Sequence, residues 1–254
     1  MKRILVLLAV LALLPALCFS QAATEKKKAE YVASTSWVAA IAELAGIDDV
    51  VCIAPANLKH PPEYETTPDD IVTVSNAKLF MNAGYERMMK TIAEAAGVDK
   101  SRIVKVKTTN TLENLGNMVS MLSDLAMTKP EATERFSAYS YMIQQAREKI
   151  KEKGYDRLTV YANTNQAELC ADLGLNVVAK FGSGPLSSDQ IADAARNKYD
   201  LVIDNAHNPV AGPVAEVSPS SVILVWSNFP DHVGGNALYE VIENNLNMLW
   251  DSGL

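Results

Sequence analysis

Histidine and cysteine are scarce in this chain, with three of each among 254 residues. Cys18, Cys52 and Cys170 show no C-x-x-C spacing, which excludes a thiolate metal knuckle. Cys52 falls in an expected strand and Cys170 in an expected helix of the other half, so both read as buried free thiols. Catalytic signatures are missing as well: there is no G-x-S-x-G and no H-E-x-x-H. Glycine-rich phosphate loops are absent too, since Gly182-Ser183-Gly184-Pro185 and Gly234-Gly235 read as turns. Basic charge is in deficit, with 23 Lys and Arg against 30 Asp and Glu. A nucleic-acid partner needs a basic face, so that class is excluded. No repeat of 20–50 residues is visible. After the N-terminus no apolar run reaches membrane-spanning length.

What is present begins with a leader. Lys2-Arg3 supplies a charged start, Ile4 to Leu17 an apolar stretch bent at Pro15, and Ser20-Gln21-Ala22 a small-residue cleavage site. Residues 1–22 therefore read as a secretory signal, and the mature chain as exported, periplasmic or attached to the cell envelope. Lipidation at Cys18 is disfavoured because Leu17, not a small residue, precedes it. Removing the leader takes away two bases and no acid, so 21 bases face 30 acids and the net charge falls from −7 to −9.

From Tyr31 onward, short apolar runs alternate with helical patterns. Strands are expected at Tyr31–Ser34, Val50–Ala54, Leu79–Asn82 and Ile103–Val106, with helices at Trp37–Ala45, Asp69–Ala77 and Glu86–Ala96 between them. This order predicts a parallel sheet with helices on both faces. A helix at Leu112–Met127 follows. The next run opens at Pro130, has no internal Pro or Gly, and stops at Gly154. At 1.5 Å per residue it spans about 36 Å, the length of a spine between two lobes. The scheme then repeats, with strands expected at Leu158–Tyr161, Val177–Phe181, Leu201–Asp204 and Val222–Trp226. Helices are expected at Gln166–Leu173, Ser187–Lys198 and Ala237–Trp250. The fold class expected is α/β, two parallel-sheet lobes joined by a long rigid helix with a cleft between them. The divisions are 1–22 leader, 23–129 first lobe, 130–154 connecting helix and 155–254 second lobe. A continuous helix between lobes leaves no hinge, so only small loop movements are expected on binding.

All three histidines follow expected strands. His60 lies after Val50–Ala54, in a stiff loop with Pro61, Pro62 and Pro68. His207 follows the strand at 201, and His232 the strand at 222. Ligands of parallel α/β sheets bind outside the carboxyl ends of the strands. One histidine belongs to the first half and two to the second, so facing lobes bring them to a shared cleft. Imidazoles and carboxylates suit a borderline metal such as zinc. Glu63, Glu65, Asp204 and Asp231 are available as ligands, acids or bases.

The stretch His60-Pro-Pro-Glu-Tyr-Glu-Thr-Thr-Pro-Asp-Asp70, then Ser75 through Glu86, resembles the first ligand loop of the zinc/manganese ABC-transporter solute-binding proteins (cluster A-I). The long central helix and the ending Asn236-Ala237-Leu238-Tyr239-Glu240…Asn244-Asn245 resemble that family too. The resemblance is to a divergent member. His60 stands four residues before Tyr64, where the family's histidine stands two before its aromatic. The family's second histidine has no counterpart around Lys105–Glu113; its third falls on Asn163 and its late aspartate on Asn236. The resemblance implies two α/β lobes on a rigid helix, a metal held between them, and delivery to a membrane permease by a monomer.

On these grounds the chain is expected to be a metal-capturing protein and not an enzyme. His60 and His207 are the expected ligands, one per lobe, with Glu65, His232 or Asp231 completing the shell. Asn163 and Gln166 are expected to orient ligating groups, with Tyr64 and Asp204 beside the cleft. Zinc is the first expectation, manganese the alternative if carboxylates dominate. Two other readings stay open. One is a metal chelate such as a siderophore, or another small molecule, walled by Tyr64, Tyr85, Trp226 and Phe229. The other is an exported metal-dependent hydrolase with Glu63 or Asp231 as base.

Overall fold

The computed structural model describes residues 29–254, with backbone alone at 62, 89 and 90. The leader and Cys18 lie outside the described residues. Among the described residues, no helix is long and apolar enough to cross a membrane.

Two four-stranded parallel sheets form the frame. The first comprises β1 (Tyr31–Ala33), β2 (Val51–Cys52), β3 (Leu79–Asn82) and β4 (Ile103–Lys105), in the order β2-β1-β3-β4. The second comprises β5 (Val160–Asn163), β6 (Val177–Phe181), β7 (Leu201–Asn205) and β8 (Val222–Trp226), in the order β6-β5-β7-β8. The two lobes thus share one topology, with order reversal at the β1/β3 and β5/β7 boundaries. β3, β5 and β7 are buried along their whole length, as strands covered by helices on both faces must be.

The first-lobe helices are α1 (Ser36–Leu44), α2 (Pro68–Asn76) and α3 (Met88–Ala95). α1 is almost wholly buried, an apolar helix lodged between elements. Thr35 caps it, accepting from the Val38 N–H. α4 (Leu112–Ala126) and α5 (Lys129–Lys153) connect the lobes. Pro130 lies in the first turn of α5, and Gly154 ends it at φ 75°, a left-handed position that glycine takes without strain. The second lobe adds α6 (Thr164–Asp172), α7 (Ser188–Asn197), α8 (Gly212–Val217) and α9 (Ala237–Trp250).

One buried apolar cluster runs through both lobes. It joins Ile41 of α1, Leu115 and Leu122 of α4, Tyr139 and Ile143 of α5, Ile203 of β7 and Ile242 of α9. Polar ties reinforce it. Arg135 of α5 donates to the Glu43 carbonyl at 2.7 Å in the first lobe. Twelve residues on, Arg147 donates to the Asp172 carboxylate and carbonyl, both at 2.7 Å, in the second. The other Asp172 oxygen accepts from the Leu112 N–H at 2.8 Å, where α4 begins. A core shared in this way disfavours rigid-body opening.

Two local readings are corrected by the structure, and one helix is added. The strand expected at Leu158–Tyr161 sits two residues later. The Asp200 carboxylate takes both the N–H and the hydroxyl of Thr159 at 2.7 Å, after a tight turn at Tyr155–Arg157, so the ladder starts at Val160. The helix expected from Glu86 starts at Met88, because the Glu86 carboxylate folds back onto the Ala83 and Gly84 N–H groups. α8 has no counterpart among the elements expected from sequence.

Asp172→Ala strands both the Arg147 guanidinium and the Leu112 amide. It is expected to lower the unfolding free energy by about 2–3 kcal/mol in urea titration. A loss under about 0.5 kcal/mol, the scale of an exposed pair, would show that this tie contributes little.

Candidate functional site

In a parallel sheet every strand delivers its following loop to the same edge. Here the edges of the two sheets face one cleft of about 290 Å³. The first lobe contributes Thr35 and Trp37 after β1, Lys59, His60 and Pro61 after β2, and Tyr85 after β3. The second contributes Asn165 after β5, Ser183 after β6, Asn205 at the end of β7 with His207 and Asn208 beyond it, and Asn228 and Phe229 after β8. His60 and His207 therefore line one cleft from opposite lobes.

The floor of the cleft is aromatic and crosses the lobes. His207 stacks on Phe229, with ring centroids 3.5 Å apart and planes 9° from parallel. Phe229 stacks in turn on Trp37 at 5.7 Å. The Trp37 indole donates to Asn110 at 2.9 Å, and Asn110 donates to the Asn228 carbonyl at 2.7 Å. Ser36 adds a bond to the Pro230 carbonyl at 2.7 Å. Burial pushes the His207 imidazole below its ordinary value of 6.5 and the nearby His60 adds to this, while a bond that the imidazole donates to the Phe229 backbone, together with the Asp231 charge, opposes it. A neutral imidazole is the ligating form. The Nε2 atom of His207 is buried without a partner, as is Oδ1 of Asn228.

The loop that carries His207 is fastened by Asp204. This buried carboxylate accepts from Val210 N–H and Ala211 N–H at 2.6 Å, from Asn205 N–H at 2.8 Å and from the Asn163 amide at 3.2 Å. Asn163 also caps α6, accepting from Asn165 N–H at 3.0 Å, and so places a residue of the cleft. Gln166 donates to Asn205 at 3.1 Å and to the Trp226 carbonyl at 2.9 Å. None of these three lines the cleft; each holds a residue that does.

The remaining sequence candidates lie elsewhere. Tyr64 donates to Asp70 at 3.0 Å, and Asp70 also accepts from the Thr67 N–H at 2.7 Å while the Thr67 hydroxyl accepts from Asp70 N–H. The Tyr-Glu-Thr-Thr-Pro stretch is thus the capping box that starts α2. Glu63 and Glu65 are exposed and do not line the cleft. His232 lines a neighbouring cavity of about 710 Å³ with Asp231 and Glu240. Its Nδ1 is 3.0 Å from Asp231 and its Nε2 3.4 Å from Glu240. The two cavities share Lys59, His207 and Phe229 as a wall. Trp226 is fully buried in the core. Among the described residues, no three of His, Cys, Asp and Glu come together as a metal-holding group. Both thiols are free, Cys170 buried and Cys52 half-buried; burial lifts each to about 12, which keeps them protonated.

Sequence reasoning passed over the amides Asn165, Asn205, Asn208 and Asn228, with Thr35, Trp37, Lys59 and Ser183. Their common signal is position: each follows closely on the end of a strand or in the loop beyond it.

No protein-family model matches the sequence, and no curated protein matches it. Solved structures do. The chain is similar to a cadmium-bound periplasmic metal-binding protein from Candidatus Liberibacter asiaticus, at 17% identity and TM-score 0.63, covering 89% of this chain and 99% of that one. A manganese-bound form of the periplasmic metal-binding protein from that organism matches at 16% identity and TM-score 0.63, with the same coverage. The laminin-binding protein of Streptococcus agalactiae, described as an adhesin with metal-transporting activity, matches at 17% identity and TM-score 0.61, covering 87% and 98%. At these identities the likeness is one of fold.

His207 carries a pH prediction. Its folded value is depressed, so its contribution to stability is complete above 6.5 and is lost as pH falls through that value. The difference in melting temperature between wild type and His207→Gln is therefore expected to shrink between pH 7.5 and pH 5. A difference that grows toward acid would mean that the imidazole is stabilised in its charged form.

Proposed function

We propose that the chain is an exported solute-binding protein that captures a divalent transition metal between its lobes for delivery to an ABC importer. The observation that carries this reading is one cleft, built at the carboxyl ends of both sheets, with an imidazole from each lobe. The structures that share this fold are described as a periplasmic metal-binding protein and an adhesin with metal-transporting activity, which supports the same class of cargo here. The leader at residues 1–22 supports export to the periplasm or cell envelope, with the permease as partner and the chain acting as a monomer.

Zinc is favoured over manganese by the lining itself. Imidazole nitrogens suit zinc, whereas manganese prefers carboxylate oxygen, and among the described residues no carboxylate lines the cleft. The same lining argues for binding over catalysis. A metal-dependent hydrolase needs a general base beside an open metal position. Glu63 is exposed away from the cleft, and Asp231 sits in the neighbouring cavity paired with His232.

Elemental analysis of the mature protein, produced in zinc-containing medium and desalted, tests this. About one zinc per chain is expected in the wild type, with retention falling about tenfold or more in His60→Ala and in His207→Ala. A metal-free wild type, or variants that retain the wild-type content, would overturn the cross-lobe metal site.

A further inference from the structure

We infer that the cleft takes its metal as a complex with a small anionic chelator, a hydroxy- or amino-carboxylate, and not as the bare ion. This rests on the metal-binding reading above and concerns what accompanies the metal.

Charge is the first argument. Among the described residues, the cleft is lined by one ammonium, Lys59, and by no carboxylate. The buried carboxylates nearest in the fold are already engaged. Asp204 accepts four hydrogen bonds, three of them from backbone N–H groups. Glu86 accepts from the Ser34 hydroxyl at 2.5 Å and from the Ala83 and Gly84 N–H groups. A bare dication entering here would meet Lys59 and no carboxylate in the walls, with only the exposed Asp231 charge reaching His207 from the neighbouring cavity. Burying uncompensated charge is costly. A chelator carrying carboxylates removes that penalty and gives Lys59 an anionic partner.

Donor number points the same way. Structural zinc takes four ligands, and open sites keep three from the protein. The cleft offers two imidazoles, and no third strong ligand joins them among the described residues. The remaining donors are water or groups that arrive with the cargo, and a chelator supplies several at once.

The lining is fitted to receive such a cargo. Gln166 holds the Asn205 carbonyl oxygen and leaves its NH₂ group to donate. Oδ1 of Asn228, a residue 5% exposed, is buried with no partner and suits a hydroxyl or amine of the chelator. Tyr85 adds a phenol, and Trp37 and Phe229 supply flat apolar walls. The volume of about 290 Å³ is at the lower edge of small-molecule pockets, which run from about 300 Å³ upward. A naked ion with ligands at about 2 Å needs far less.

Chelators give opposite signs for the two cargoes, which makes the test direct. The mature wild-type protein is titrated with zinc alone, and with zinc in the presence of citrate, malate or histidine. A bare-ion site is weakened by each chelator in proportion to the zinc it sequesters. The inference predicts that at least one chelator tightens binding by about tenfold or more. It also predicts that Lys59→Ala removes most of that gain, while zinc alone binds the variant at least as tightly as it binds the wild type, because the opposing ammonium is gone. If all three chelators only compete, the inference is overturned while the metal content measured above still stands. If a chelator binds equally well without zinc, the metal complex is not the cargo and the inference also falls.

Discussion

Every strand in both sheets runs parallel to its neighbours, and that constraint places the site. Parallel strands deliver all their following loops to one edge, so two sheets of the same order present two sets of loops. With those edges facing, the segments that follow seven strands reach one cleft, the long connection between Cys52 and Pro68 bringing His60. The shared core of α1, α4, α5 and α9 keeps the edges facing, and Arg135 and Arg147 pin the central helix to a lobe each. The aromatic stack from Trp37 through Phe229 to His207 then crosses the interface at the cleft floor.

Within this frame the buried carboxylates do structural duty. Glu86 holds the turn after β3, and Asp204 the loop after β7, each through backbone N–H groups. These are matching places in the two lobes, just beyond the central strand that follows each order reversal. Acidic oxygen is used to shape the loops, and the surface they present is made of amides, hydroxyls, imidazoles and one ammonium. That division explains how a strongly acidic chain comes to have a cleft without a carboxylate.

Much of the fold was legible because it is punctuated. Pro130 and Gly154 bracket α5, and β3, β6, β8 and α9 fall where their apolar runs begin and end. β5 was misplaced because Thr159 looks like a strand residue until Asp200 claims both of its polar groups, a contact 41 residues distant. The site was legible in part. His60 and His207 stand at strand ends and reach the cleft, while His232 follows the same rule and turns into the adjoining cavity toward Glu240. Tyr64 and Glu65 belong to the most recognisable motif in the chain, yet that motif caps a helix. Asparagine forms no recognisable motif, so the amides that line the cleft emerge only once the strands are assembled.

The central claim is that one imidazole from each lobe holds the metal and that donors from outside the chain fill the rest of its shell, all of them oxygen when the chelator is citrate. X-ray absorption at the zinc edge of the mature protein loaded with zinc and citrate measures this directly. Two imidazole nitrogens at about 2.0–2.1 Å with the remaining ligands oxygen is the expected result. Three or more imidazoles, or a sulfur ligand at about 2.3 Å, would contradict it.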